Sequence, residues 1–346
     1  MRIIYWTTAC IEPKIEAISK EVFSLSKHFK SSFVFSVNPH IIFKFSYRNR
    51  YIGFNPIWYP FLRILIPVVE FFCDINHVYG DIAPWIYYKS LKRKPIVHTI
   101  ASEKGELNAE FFERCSFIIC QTTSMKSKLD KMVGKHEKVK LIYPGIDLVK
   151  FQYDIKAPDP NPPRILFATA PRTSEELEKR GVFRLLKAAQ IDPHIQFTLL
   201  FRRWTHSYTS FAVVQDYIEK NKIKNIRLRN EIVGNMSEIY KNHHFTLIPF
   251  TEGDGGKECP DSALESIACG RPVLISDVSD FSSFIRRNKC GVIYDTSSED
   301  MVKKIYEGIS DYDILQKKME NIAIEFFDLE KILSSYEMLY EKCFGE

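Results

Sequence analysis

The sequence of 346 residues has no GxGxxG after its opening apolar run and no GxxxxGK followed by Ser or Thr anywhere. These absences remove the ordinary dinucleotide-binding and P-loop readings. Its eight cysteines form no CxxC pair, which argues against a zinc or redox centre. They sit in apolar runs such as Phe117–Cys120 and read as reduced core residues of a cytosolic protein. No internal repeat is present, and no low-complexity tract beyond one proline-rich stretch. Met1 is followed at once by Arg2-Ile3-Ile4-Tyr5-Trp6, which reads as a buried strand and not as a signal peptide. The apolar segment Ile57–Cys73 is interrupted by Pro60, Arg63, Pro67 and Glu70 and is shorter than the roughly 20 residues that a spanning helix needs. It reads as a buried or amphipathic helix, with an interfacial helix touching a membrane as the alternative. At 45% hydrophobic and 26% charged residues, the composition is that of an ordered globular protein. A formal charge of +5 is too weak to argue for nucleic acid, but it suits anionic ligands such as nucleotides or phosphorylated lipids.

Short apolar strands alternate with helix-length segments. In the first half the strands are Ile3–Thr7, Ser32–Val37, Ile75–Tyr79, Ile96–Ile100, Phe117–Gln121 and Lys138–Tyr143, with a helix over Lys14–Phe29. Four prolines between Lys156 and Pro163 break the pattern and read as a stiff linker. The alternation then restarts with strands Ile165–Thr169, Gln196–Phe201, Asn225–Leu228, Phe245–Pro249, Pro272–Ser276 and Gly291–Tyr294. Helices fall near Gly181–Gln190, Phe211–Asn221, Asp261–Cys269 and Met301–Ile309, and two more, Tyr312–Phe327 and Leu329–Cys343, close the chain. The pattern predicts an α/β protein of two Rossmann-like, doubly wound domains facing a cleft, each binding at the carboxyl ends of its strands. The expected limits are 1–150 and 151–327, with a C-terminal helix over 328–346 crossing back onto the first domain.

The most informative segment is Gly253–Ile275, GDGGKECPDSALESIACGRPVLI. Its glycines, Gly256 among them, allow close backbone approach to a ligand. Pro260, Asp261 and Ser262 suit a helix start, whose free N–H groups and positive dipole end point back at the loop and favour phosphate or sugar oxygens. The backbone at Ser262, Ala263 and Leu264 is therefore a candidate donor-binding element, and Glu265 lies one turn in.

The run ALESIACGRPVLIS resembles the C-terminal signature of retaining family 4 glycosyltransferases, which have the GT-B fold. The stretch VKLIYPGIDLVKF, Val139–Phe151, resembles the crossover between domains in that family. The resemblance implies transfer of a sugar from a nucleoside diphosphate sugar to a hydroxyl acceptor, a glycan or a lipid-linked glycan. It implies retention of configuration and no bound metal or other cofactor. No DxD-type pair stands in a position to hold a metal, where Asp254 is alone.

By resemblance Glu265 holds the ribose hydroxyls, and a carboxylate accepting two vicinal hydroxyls is a sound bidentate site. A second glutamate that contacts the transferred sugar in the family is replaced here by Lys257, with Glu258 beside it. Three outcomes stay open: Glu258 takes the role on a shifted loop, Lys257 meets an anionic or differently substituted sugar, or activity is lost or changed. An Arg and a Lys that clamp the diphosphate correspond to Arg172 and to Arg180 or Lys179, of which Arg180, just before Gly181, matches better. Two cations there stabilise the leaving group. Arg202 and Arg203 end the next strand and are further candidates for the same crevice. Base contacts come from backbone at Glu231–Gly234, including Val233.

In the first domain the family's glycine-rich loop corresponds to Thr7–Lys14, which has no glycine, so that Lys14 is the candidate replacement by charge. The family's active-site histidine position falls on Ala101. His98 and Glu103 are the nearby candidates facing the acceptor, with a packed core role the competing reading for His98. The segment Phe43–Phe72 carries Lys44, Arg48, Arg50 and Arg63 among aromatic and aliphatic residues, which is the composition of a segment docking on an anionic membrane surface from the cytoplasmic side. Packing of the first domain with solvated arginines is the alternative. Besides the transferase, the sequence admits a GT-B protein that binds a nucleotide sugar without transfer, and a GT-B epimerase.

Overall fold

The computed structural model describes residues 1–81, 85–102, 108–134, 137–202, 209–252 and 256–345. The chain divides into two compact units, Met1–Gly145 with Glu330–Glu346, and Ile146–Leu329.

The first unit holds a sheet of β1 (Ile3–Thr7), β2 (Ser32–Val37), β3 (Phe43–Ser46), β4 (Tyr51–Phe54), β5 (Ile75–Asp81), β6 (Ile96–Ser102), β7 (Phe117–Cys120) and β8 (Val139–Leu141). Their order is β3-β4-β2-β1-β5-β6-β7-β8, parallel except for the edge pair β3–β4. Every residue of β1 and of β6 is buried, as a parallel strand covered on both faces requires. From β1 the chain winds to β2 and the β3–β4 hairpin on one side, then crosses back to β5 and continues on the other, so the switch point lies between β1 and β5. The closing helix, Leu329–Gly345, belongs to this unit from Glu330 onward. A buried polar seam anchors it: His77 Nδ1 meets the Tyr340 hydroxyl, and Thr99 Oγ1 lies 3.2 Å from the Tyr336 hydroxyl.

The second unit holds β9 (Arg164–Phe167), β10 (Gln196–Phe201), β11 (Ile226–Asn230), β12 (Phe245–Ile248), β13 (Val273–Ser276) and β14 (Gly291–Tyr294), all parallel in the order β11-β10-β9-β12-β13-β14. Its switch point lies between β9 and β12. The core gathers Phe167, Leu185, Phe197, Leu247 and Leu274 between the sheet and its helices.

Three features differ from the sequence-based expectation. The hairpin β3–β4 was not expected. Its turn is made by Ser46–Arg50: the Asn49 amide donates to Ser46 Oγ, the Arg50 amide to Tyr47 O, and Arg50 takes a φ of 54°. The proline-rich stretch does not join the units but lies inside the second. Ile146 N donates to Phe327 O, and Leu329 N donates to Ile146 O. The buried Arg271 guanidinium donates to Asp154 O at 2.6 Å and to Lys156 O at 2.7 Å, which fixes the stretch before the prolines onto the β13 side of the unit. Finally, the expected Tyr312–Phe327 helix is two helices, Tyr312–Gln316 and Met319–Phe326. Among the described residues no helix is long and apolar enough to cross a membrane.

Candidate active site

The carboxyl ends of β9 and β12 carry the two loops that hold the sequence candidates of the second unit, and a crevice between strands that wind in opposite directions is where such sheets bind ligands. Those loops are locked together. The Thr251 amide donates to Lys179 O at 2.9 Å and the Thr251 hydroxyl to Glu178 O at 3.0 Å. Gly181 begins the next helix at a φ of +66°, and a Cβ there would lie 1.7 Å from Pro249 O. Only glycine permits that approach. It sets Arg180 beside the start of the loop after Glu252, of which Gly253, Asp254 and Gly255 lie outside the described residues.

Arg180 Nη1 donates to Thr169 Oγ1 at 2.5 Å, and Nη2 lies 3.4 Å from Glu176 Oε2. The same Glu176 oxygen accepts the Arg172 amide at 2.8 Å, so one carboxylate ties both candidate arginines to the first turn of the Ser174–Lys179 helix. Burial lowers the Arg180 pKa; the Glu176 charge opposes this, while those of Arg172 and Arg202 add to it. Arg172 and Arg180, both from the segment after β9, and Arg202, just past the end of β10, thus gather positive charge around Arg180, an arrangement suited to a polyanion. Lys179 instead pairs with Glu175 and Glu252 at 3.4 and 3.5 Å. Arg203 lies outside the described residues.

The helix Asp261–Ala268 is buried along its whole length, including Asp261, Ser262 and Glu265. Such a helix needs its polar groups partnered. Glu265 Oε2 accepts the hydroxyl of Tyr240, from the Met236–Lys241 helix, at 2.7 Å. Burial raises the Tyr240 pKa well above the usual tyrosine value, and the Glu265 charge adds to this, so that the phenol stays a donor. Arg202 acts on Tyr240 as well, which links the arginine group to the Glu265 side of the crevice. At the helix start, Ala263 N and Leu264 N donate to Pro260 O at 2.9 and 3.4 Å, so these two amides are engaged within the helix.

Lys257 Nζ pairs with Asp261 Oδ1 at 2.6 Å, with both side chains largely buried. Glu258 is also buried, at 3% exposure. Gly256 packs on Phe250, where a Cβ would meet the ring at 2.9 Å. Val233 is half-buried in the loop after β11.

In the first unit, Lys14 is exposed on the loop after β1. The loop is tied to its own unit: the Ala9 amide donates to Thr7 Oγ1, the Cys10 amide to Glu16 Oε2, and the Glu12 amide to Ser19 Oγ. His98 is placed in the core. It is fully buried, stacked on Phe112 at 5.6 Å, and its Nε2 lies 3.0 Å from Asp81 O. Burial lowers its pKa to about 4. Glu103 lies outside the described residues.

Two polar residues that sequence reasoning did not single out stand at these switch points. Tyr240 orients Glu265. In the first unit, Asp81 ends β5 at a break in register after Gly80, whose φ is +136°, and its Oδ2 accepts the Thr8 hydroxyl from the end of β1 at 2.7 Å. The G-D pair at the end of a strand was the available signal for Asp81. No periodic pattern marks Tyr240, which sits on a helix of six residues.

A search of curated proteins finds no match to the chain. Residues 175–326 match the family model described as Glycosyl transferases group 1. Among solved structures, the chain is similar to Anabaena HepE in complex with UDP, at 12% identity and a TM-score of 0.76 over 99% of this chain and 100% of that one. It is similar to a sucrose-phosphate synthase from Thermosynechococcus elongatus, at 13% identity and a TM-score of 0.75 over 100% of both chains. It is also similar to the lipopolysaccharide outer core galactosyltransferase WaaB, at 14% identity and a TM-score of 0.72 over 99% of both chains. The chain therefore has the GT-B fold of two parallel-sheet α/β units, and its second unit carries the group 1 glycosyl transferase pattern over 175–326.

Proposed function

We propose that the protein is a glycosyltransferase that moves a sugar from a nucleoside diphosphate sugar to a hydroxyl of a glycan or lipid-linked glycan, with retention at the anomeric carbon. The observation that carries this reading is the second unit's switch point. There Glu265, held by Tyr240, lies on the helix after β12, and Arg172 and Arg180 lie on the segment after β9, the two segments being hydrogen-bonded to each other through Thr251. Glu265 is assigned to the ribose hydroxyls. Arg172 and Arg180 are assigned to the diphosphate, where their charge stabilises the leaving group as negative charge grows on it. In this reading the arginines serve the diphosphate without a metal, and turnover persists in excess chelator. The crystallised relative HepE was solved with UDP, and also with UDP-glucose, which supports a uridine diphosphate donor as the first to test.

The pair Lys257–Asp261 favours a neutral donor sugar over an anionic one, because the lysine charge is met within the protein. The same pair is the observation behind a second reading, a nucleotide-sugar binder without transfer. A thermal-shift screen over nucleoside diphosphates and their sugars tests the site, since a ligand of the native state raises the melting temperature by mass action. Absence of any shift removes both readings. A shift without donor hydrolysis or transfer to any hydroxyl acceptor leaves the second. Product anomeric configuration, read by NMR, tests retention.

A further inference from the structure

Nearly half of the exposed large hydrophobic residues in the described chain fall between Ile42 and Phe72. The helix Tyr59–Phe71 accounts for the core of this patch. Its inner stripe, Leu62, Ile66 and Glu70, is fully buried. Its outer stripe, Phe61, Ile64, Val68 and Phe71, follows the spacing of one helix face and is equally apolar, yet it stands in solvent, Ile64 at 71% exposure. A solvated helix of a globular protein carries polar residues on that side; this one does not.

Glu70 adds a second feature. Its carboxylate, at the inner face of the last turn, accepts the backbone amides of Lys92, Arg93 and Lys94 at 2.9 to 3.2 Å, as well as Asn76 Nδ2 at 2.8 Å. It thereby clamps a run with four cations in six residues, Lys89-Ser-Leu-Lys92-Arg93-Lys94, against the end of the apolar helix. The clamp uses main-chain donors only, and the side chains of Lys89, Lys92 and Arg93 are exposed. Arg63 on the helix and Arg48 on the hairpin turn are exposed too. No exposed acidic side chain belongs to the helix or to the clamped run. Arg50, by contrast, is consumed by the fold: it donates to Ser26 O and Lys30 O at the end of the first helix, so it is withdrawn from the basic set that the sequence suggested.

We propose that this face of the first unit is a docking surface for an anionic lipid bilayer, with the outer stripe of the Tyr59–Phe71 helix lying in the interfacial plane and the Glu70-clamped cationic run contacting lipid phosphates. The combination of an apolar stripe with cationic surroundings fits a headgroup layer over an apolar interior. A second copy of the chain would bring the same cations against one another. The surface is built wholly from residues of the first unit and does not rest on the donor assignment.

Co-sedimentation of the full chain with vesicles tests it. The protein pellets with phosphatidylglycerol/phosphatidylcholine vesicles at low salt, is released at high salt, and ignores pure phosphatidylcholine. Lys92→Ser/Arg93→Ser, which leaves the clamped amides in place, weakens partitioning about 20-fold, and Phe61→Ser/Ile64→Ser weakens it at least about tenfold. Trp58, exposed at the start of the helix, shifts its emission to the blue on binding, and Trp58→Phe removes that shift. Unchanged melting temperatures and unchanged nucleotide binding of both double variants show that fold and donor site are intact. No pelleting at low salt overturns the proposal, as does pelleting that both double variants retain. Self-association in lipid-free solution that Phe61→Ser/Ile64→Ser abolishes, without vesicle binding, assigns the face to a second copy and overturns it likewise.

Discussion

The phenol of Tyr240 donates to Oε2 of Glu265 across 2.7 Å, with both residues buried. One partner comes from the six-residue helix after β11 and the other from the buried helix after β12, so the bond ties the orientation of a carboxylate in the crevice to a neighbouring element. Glu265→Ala weakens nucleotide binding by about 1–3 kcal/mol, the loss expected for a carboxylate that accepts hydroxyl hydrogen bonds. Tyr240→Phe weakens it by about 1 kcal/mol through Glu265, and therefore adds almost nothing in the Glu265→Ala background. Calorimetric titration of the four proteins measures the coupling. Strictly additive losses would show that the tyrosine affects binding independently of Glu265 and overturn its orienting role.

Arg172 and Arg180 share Glu176, and this predicts a kinetic signature. Either arginine replaced by alanine lowers kcat about 100-fold, with a smaller effect on donor affinity, because phosphate charge grows at the transition state. Arg180→Lys does not rescue, since a single ammonium cannot span Thr169 and Glu176 as the guanidinium does. Steady-state kinetics with a saturating donor decides it; a rise in KM with kcat intact contradicts the role.

Gly181→Ala destabilises the second unit by at least about 2 kcal/mol. The added methyl meets Pro249 O and the backbone is held at positive φ, two independent costs. Because the same contact holds Arg180 in place, the variant also loses turnover at temperatures where it is folded. Denaturant melts paired with activity measure both, and a stable, fully active Gly181→Ala would refute the lock between the two loops.

The sequence made the parallel strands legible where burial on both faces leaves a continuous apolar run. Ile3–Thr7 and Ser32–Val37 are read to the residue for that reason. It hid β3 and β4, because Phe43, Phe45 and Tyr47 alternate with Lys44, Ser46 and Arg48 in a strand pattern that merges with the basic, aromatic segment after it. The proline-rich stretch read as a linker because proline excludes regular structure; what binds it to the second unit is a buried arginine more than a hundred residues away, and no local pattern carries that. As candidates, Glu265, Arg172 and Arg180 stand out in the sequence because glycine, proline and charge cluster around them, and the structure places them on the segments that follow β12 and β9. Tyr240 was not, since its role depends on a side-chain contact between two helices. The Lys92–Lys94 run was visible as charge, but only the Glu70 carboxylate gives it a place.

Three buried histidines make stability depend on acid. Burial lowers the pKa of His98, His243 and His244 to about 4 each, against an ordinary value near 6.5. A base whose folded pKa is depressed is protonated first in the unfolded chain, so between pH 6.5 and 4 the unfolded state binds more protons. Stability is therefore fully present above about pH 6.5, falls as the pH drops through that window, and levels off for these groups below about pH 4. Each site contributes at most about 3 kcal/mol of this loss, from 1.36 kcal/mol per pKa unit. His98 is the clearest case. Its Nε2 faces the carbonyl of Asp81, its ring lies against Phe111 and Phe112, and the neighbouring His77 is itself held neutral by burial, so among the described residues no acidic side chain offsets a proton there. His98→Gln keeps an amide donor for Asp81 O, lowers stability at neutral pH, and flattens the slope of stability against pH in that window by up to one proton's worth. Urea melts at intervals from pH 7 to 4 read the slope, and an NMR titration of the wild-type imidazole reads the same property without a variant. A His98 ring that protonates near pH 6.5 in the folded protein would show that the site is solvated and return His98 to the candidates for acid–base work.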